Sequence, residues 1–225
     1  MTGCLRNSRN VPPQPPGNDR LGRPGVIIYL HGFNSSPQSS KAQYLGRYMN
    51  ERGRGGQYVC PQLPHRPDEA VAVAEAEIAR WPREEITLVG SSLGGFYATW
   101  LVEKHDLRAV LINPAVDPHV GLRNHLGPQH PYHGGETYNL SEEHLHQWEH
   151  LFMSDLHSDR YLLLVETGDE VLDYRVAVRK YRGAKQIAVR GGNHACASFP
   201  EHIPLILEFA GMGVTATPSI PTSRL

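Results

Sequence analysis

Two hydrophobic periods alternate along the chain. Val26-Ile27-Ile28-Tyr29-Leu30 is an unbroken apolar run, the pattern of a strand buried on both faces. Residues 41–52 then carry Ala42, Leu45, Tyr48 and Met49 at spacings of three and four, which predicts a helix. Tyr58-Val59-Cys60 reads as a short strand stopped by Pro61. Pro67 opens a second helix, with Asp68 and Glu69 at its positive end and Ala70, Val71, Ala74, Ile78 and Trp81 on its buried face. A third strand, Ile86-Thr87-Leu88-Val89, leads into Gly90-Ser91-Ser92-Leu93-Gly94-Gly95 and a helix to about Lys104. Ala109-Val110-Leu111-Ile112 and Tyr161-Leu162-Leu163-Leu164-Val165 are further strands. A helix over 174–181, the strand Gln186-Ile187-Ala188-Val189 and a helix over 200–209 complete the series. Strands alternating with helices predict an α/β fold, doubly wound on a mostly parallel sheet.

The ends break this rhythm. The first 24 residues are Pro-rich with little to bury and no apolar core of a secretory signal, and are expected to form a disordered leader. Residues 212–225 read as a flexible tail. One catalytic domain is expected over 25–211, with residues 117–159, which lack a clean period, as a cap insertion.

Composition narrows the function classes. The formal net charge of −1 argues against a broad basic surface for nucleic acid, and 40% hydrophobic residues suit a packed core. No apolar run approaches the roughly 18 residues of a membrane span. Cys4, Cys60 and Cys196 are odd in number and far apart, supplying no disulfide framework or Cys-x-x-Cys pair; a reducing, cytoplasmic setting fits.

Ligands of such sheets bind at the carboxyl ends of the strands, and four of those ends carry chemistry. Gly90-Ser91-Ser92-Leu93-Gly94 matches G-x-S-x-G between strand and helix, a turn that exposes a nucleophilic serine, Ser92. A serine hydroxyl needs a base, and the base needs an orienting carboxylate. His194, in Gly191-Gly192-Asn193-His194 after a strand, is the candidate base. Asp169, Glu170 and Asp173 compete for the carboxylate. Asp169 lies closest to the strand end and is preferred; Val171 is expected to pack inward and Asp173 to cap the next helix. The order Ser92, Asp169, His194 is that of an α/β-hydrolase.

Donors for a developing oxyanion are expected from the backbone N–H groups of Leu93 and Phe33. Asn34, Ser35 and Ser36 either contact substrate or complete the turn. His31 is read as holding that loop by hydrogen bonds.

Taken together, Tyr29-Leu30-His31-Gly32-Phe33-Asn34-Ser35-Ser36-Pro37, residues 90–98, Asn113-Pro114-Ala115, residues 167–174 and Gly192-Asn193-His194 resemble the YqiA-like group of small bacterial esterases in the α/β-hydrolase superfamily. The resemblance runs from about Val26 to Phe209. It implies a cytosolic serine hydrolase acting on small acyl esters or thioesters, with no metal or organic cofactor. Alternatives are another acyl substrate such as a peptide, transferase activity, or a non-catalytic binding module. The oligomeric state is not legible.

The insert holds eight of the thirteen histidines, at 119, 125, 130, 133, 144, 146, 150 and 157. His146 and His150, with Glu142 a turn earlier, raise a metal reading. A polar cap helix with Leu145, Trp148, Leu151 and Phe152 facing the core is preferred. Cys196 is read as a small packed residue.

Overall fold

The computed structural model describes residues 25–213. The proposed leader and most of the proposed tail, with Cys4, lie outside them.

Six parallel strands form the main sheet: β1 (Val26–Leu30), β2 (Tyr58–Val59), β3 (Ile86–Ser91), β4 (Arg108–Ile112), β7 (Tyr161–Glu166) and β8 (Lys185–Val189), in the order β2-β1-β3-β4-β7-β8. Helices α1 (Ser40–Asn50), α2 (Pro67–Ile78), α3 (Leu93–His105), α6 (Tyr174–Lys180) and α7 (Phe199–Phe209) cover it. The alternation of β1 shows why its residues are all apolar. Val26, Ile28 and Leu30 enter one core with α2, α3 and α6, while Ile27 and Tyr29 enter the other, with α1 and α7. The expected α/β, doubly wound architecture is therefore the observed one, with element ends shifted by up to three residues: α2 stops at Ile78, so Trp81 lies beyond the helix it was expected to join.

Strand order reverses between β1 and β3: the chain goes outward to β2, then returns to place β3 on β1's other edge. The connections on either side diverge there, leaving a crevice at the carboxyl ends of these two strands. The loop after β1 and the Ser92 turn after β3 both open into it.

The segment between β4 and β7 forms α4 (Pro118–Gly121), an antiparallel hairpin of β5 (Gly127–Gln129) and β6 (Tyr138–Leu140), and α5 (Glu142–His150). Leu145 and Trp148 of α5 are buried, and the Trp148 indole N–H donates to the Tyr97 hydroxyl at 2.9 Å. Trp148 is thus a core residue, as the helical pattern suggests. Phe152 departs from the expectation: it follows the last turn of α5, is 39% exposed, and lies under the Lys180 ammonium at 4.2 Å.

No described helix is long and apolar enough to cross a membrane.

Candidate active site

Ser92 sits between β3 and α3 with φ 54° and ψ −122°, a region that residues with a side chain occupy only under strain. Small neighbours make the turn sterically possible. A Cβ on Gly94 would stand 1.9 Å from the Leu30 carbonyl oxygen, and one on Gly90 would stand 2.4 Å from the Gly94 oxygen. Backbone therefore passes backbone where larger residues would collide. The turn is pinned by Ser92 N–H to the Ile112 carbonyl and by Gly95 and Ala115 N–H to the Ser92 carbonyl, at 2.9–3.0 Å.

The Ser92 Oγ lies 3.0 Å from His194 Nε2, and His194 Nδ1 lies 2.8 Å from Asp169 Oδ2. Three loops at three strand ends therefore meet in one hydrogen-bonded line. The Asp169 side chain is 2% exposed against 21% for His194, so the carboxylate is shielded while the imidazole reaches the cavity. Asp169 Oδ1 accepts from the N–H groups of Val171 and Leu172, at 2.8 Å each. Those bonds fix the carboxylate's orientation.

The three competing carboxylates divide the work. Asp169 holds the imidazole. Glu170 accepts the backbone N–H of His194 at 2.9 Å, a bond that draws its own carboxyl below the ordinary range. Asp173 caps α6, accepting from Arg175 N–H at 3.0 Å. Val171 corrects the sequence expectation: it points outward, 63% exposed, because the Asp169 turn commits its N–H inward and leaves its side chain at the cavity mouth.

The loop after β1 closes on Ser92 from the other side. A Cβ on Gly32 would lie 3.2 Å from the Ser92 Cβ, so glycine permits the approach. His31 is 3% exposed; its Nε2 accepts from Leu63 N–H at 3.0 Å, leaving Nδ1 to donate to the Gly32 carbonyl at 3.1 Å. Burial holds it below its ordinary pKa, as a neutral brace for the loop. Phe33 and Leu93 both line the cavity on Ser92. Leu93 is the first residue of α3, so its N–H has no acceptor within the helix.

Of the three candidate substrate contacts, Asn34 lines both cavities that flank this loop and bonds to the segment between β4 and β7. Its Nδ2 donates to Gln129 Oε1 at 3.0 Å, its Oδ1 accepts from the Tyr138 hydroxyl at 2.6 Å, and its carbonyl accepts from Tyr132 N–H at 2.8 Å. Its φ of 52° is one that Asn tolerates better than most residues. Ser36 Oγ donates to Gln38 Oε1 at 2.6 Å and accepts its N–H at 3.1 Å, closing a turn. Ser35 lines both cavities that flank this loop: one of about 610 Å³ holding Ser92 and His194, the other about 470 Å³ under the cap hairpin.

Two residues beneath His194, Glu166 and Asn113, were given no role by the sequence, Asn113 standing only within a motif. Glu166 ends β7 and is fully buried. It accepts from the N–H of Asn193 at 2.6 Å and from the N–H and hydroxyl of Ser198 at 2.8 and 2.6 Å. Burial pushes its carboxyl upward, but these donors outweigh it and the net shift is downward. Gly192, at φ 74°, leaves room for it: a Cβ there would overlap the carboxylate at 1.8 Å. Asn113, at φ 40°, gives its Nδ2 to the Asn193 and His194 carbonyls at 3.1 and 3.2 Å, and takes the Glu166 N–H at 2.9 Å. The visible signal was a glutamate closing the apolar run Tyr161–Val165, where a charge needs a buried partner.

Among the described residues no cluster of three or more His, Cys, Asp or Glu could hold a metal. His146 and His150 are exposed, and His146 faces Glu149 at 3.8 Å. Cys196 is 2% exposed, its thiol pushed up to about 11 chiefly by burial.

A parallel sheet with its switch point at β1 and β3, a strained serine after β3, and His and Asp at later strand ends define an α/β-hydrolase fold. Structural likeness agrees. Mouse alpha/beta hydrolase domain-containing protein 10 is similar over 83% of this chain and 90% of its own, at 16% identity and TM-score 0.64. Est1E from Butyrivibrio proteoclasticus, with ferulic acid bound, matches over 88% and 91% at 15% identity and TM-score 0.61. The esterase domain of a Rhodothermus marinus protein matches over 84% and 83% at 16% identity and TM-score 0.55. At residues 26–211 the chain matches, and belongs to, the Uncharacterised protein family UPF0227, the YqiA family that the sequence motifs resemble.

Proposed function

We propose that this chain is a serine esterase that hydrolyses acyl esters or acyl thioesters through an acyl-enzyme. The observation that carries this reading is the line Asp169–His194–Ser92, at 2.8 and 3.0 Å, ending on a strained serine in a cavity of about 610 Å³. His194 Nε2 takes the Ser92 proton as Oγ attacks the carbonyl carbon, and the N–H groups of Leu93 and Phe33 face the resulting oxyanion. The imidazolium returns the proton to the departing alcohol or thiol as the C–O or C–S bond breaks. Water, deprotonated by the same nitrogen, then releases the acid and restores Ser92. Asp169 holds the imidazole with Nδ1 protonated and stabilises its cation. No step calls for a metal or organic cofactor. An esterase domain and an Est1E with ferulic acid bound among proteins of like fold are in keeping with the reading.

The test is labelling by an active-serine fluorophosphonate, with Ser92→Ala alongside. Labelling of the folded wild type and its loss in the variant is expected. An unlabelled wild type, or a variant labelled as strongly, sinks the proposal. p-Nitrophenyl esters of rising acyl length, with matched thioesters and peptides, then separate the substrate classes.

A further inference from the structure

The cavity on Ser92 has a polar wall that acyl transfer itself leaves unused. Tyr29, at 1% exposure, lines this wall with its hydroxyl buried near Ser91 and in hydrogen-bond geometry with none of the described residues. Ser39 lines it too, and its buried hydroxyl is likewise unpartnered. Ser39 is the N-cap of α1, where a serine ordinarily turns its hydroxyl onto a first-turn N–H; here it makes no such bond. The Gln43 N–H donates to the Ser39 carbonyl at 2.9 Å, so the N–H groups of Ser40, Lys41 and Ala42 precede the first acceptor within the helix. No acidic residue occupies that first turn.

Lys41 completes the set. It lines the same cavity; its ammonium donates to the Ala195 carbonyl at 2.8 Å and has no ion-pair partner among the described residues. Burial holds it below its ordinary pKa, partly offset by Cys196, Glu166 and Asp169. Those two carboxylates are already committed to the His194 loop and imidazole, and Glu170 to the His194 N–H. Asp117, the remaining acid of the cavity, belongs to the cap side at α4. Buried donors without acceptors are costly unless a ligand supplies what is missing, and here they are two hydroxyls, set beside a helix N-terminus and a cation whose one acceptor is a neutral carbonyl.

We propose that this wall is an anion-recognising subsite, and that the substrate is an acyl ester or thioester carrying a carboxylate or phosphate. Lys41, the Tyr29 and Ser39 hydroxyls and the start of α1 hold that anion while the acyl carbonyl meets Ser92. The proposal rests on the serine-hydrolase reading and narrows its substrate class.

Two matched pairs test it and separate the two sources of charge. p-Nitrophenyl butyrate against the mono-p-nitrophenyl ester of succinic acid places a carboxylate on the acyl group. Butyryl-N-acetylcysteamine against butyryl-coenzyme A places phosphates on the leaving thiol. In at least one pair, the anionic member is expected to exceed its neutral partner in kcat/KM by about tenfold or more. Lys41→Met should cut that ratio about 10- to 100-fold, the range for a hydrogen bond to a charged group. Tyr29→Phe should lower the same ratio, and serves if Lys41→Met fails to fold. Ratios near one in the wild type overturn the subsite. So does a ratio that survives both substitutions while both rates fall, since Lys41 would then only brace the His194 loop. Absence of fluorophosphonate label overturns the serine-hydrolase reading instead; label without anionic preference overturns the subsite alone.

Discussion

The buried Glu166 carboxylate accepts the backbone N–H of Asn193 at 2.6 Å, one residue before His194. With Asn113 gripping the carbonyls of the next two peptides, it fixes the height of the imidazole above Ser92. Glu166→Gln keeps the shape but sets an N–H₂ against N–H donors. The expected outcome is kcat lower by about 10- to 100-fold, with KM moved much less, because a small displacement of the imidazole costs rate more than binding. Steady-state kinetics on a p-nitrophenyl ester read the split; an equal change in KM would place Glu166 outside the positioning of His194.

Tyr138→Phe removes the 2.6 Å bond from the cap hairpin to Asn34. A neutral hydrogen bond contributes about 1 kcal/mol, so cap docking should weaken about fivefold. Hydrogen exchange over residues 127–140 should quicken while exchange in β1, β3 and β4 stays unchanged. Uniform quickening would show that the hairpin is not an independently docked element.

Mild acid should loosen the cap first. His144 Nδ1 accepts from Ser141 N–H at 3.2 Å, so its Nε2 carries the proton and donates to His65 Nδ1 at 3.0 Å. His65 also stacks on Tyr138 at 4.1 Å. Burial lowers both pKa values from 6.5; for His65, Glu69 opposes this and Arg66 adds to it. His65 and Arg66 reinforce it for His144, against Ser141 and Glu143. A group depressed in the fold takes up protons more readily when unfolded. The stability from this pair is therefore whole above about pH 6.5 and falls as pH drops through the lowered values. Melting temperature at pH 7.5 and 5.5, for wild type and His65→Phe, checks it. An acid-induced drop of equal size in both would remove the pair from the account.

Gly94→Ala should abolish the folded state, since its Cβ would meet the Leu30 carbonyl oxygen at 1.9 Å and neither backbone can retreat. Gly56→Ala, with nothing within 4 Å, should melt within about 2 °C of wild type. Thermal melts of the two variants side by side decide it.

Period and punctuation made the sheet legible. β1, and β7 as far as Val165, are apolar because both faces are covered, and Pro67 marks the start of α2. Ser92, His194 and Asp169 could be read because each stands at a strand end among glycines. The β5–β6 hairpin could not: its strands are three residues each, with Pro128 in one and an eight-residue connection, too short for a period. The bonds of Asn34 to Gln129 and Tyr138 could not be read either, as its amide looks the same in a sequence whether it meets substrate or another segment of the chain. Glu166 and Asn113 act through folded proximity to residues 193–198, which no local spacing encodes.

Ser92 carries a consequence of a different order. At φ 54° and ψ −122° a glycine would sit without penalty, while any side chain costs about 1–3 kcal/mol. Selection for a durable fold alone would push this position to glycine. A hydroxyl held here against that pull spends stability on something other than the fold, and drift at this codon is a sensitive record of whether the function is still in use.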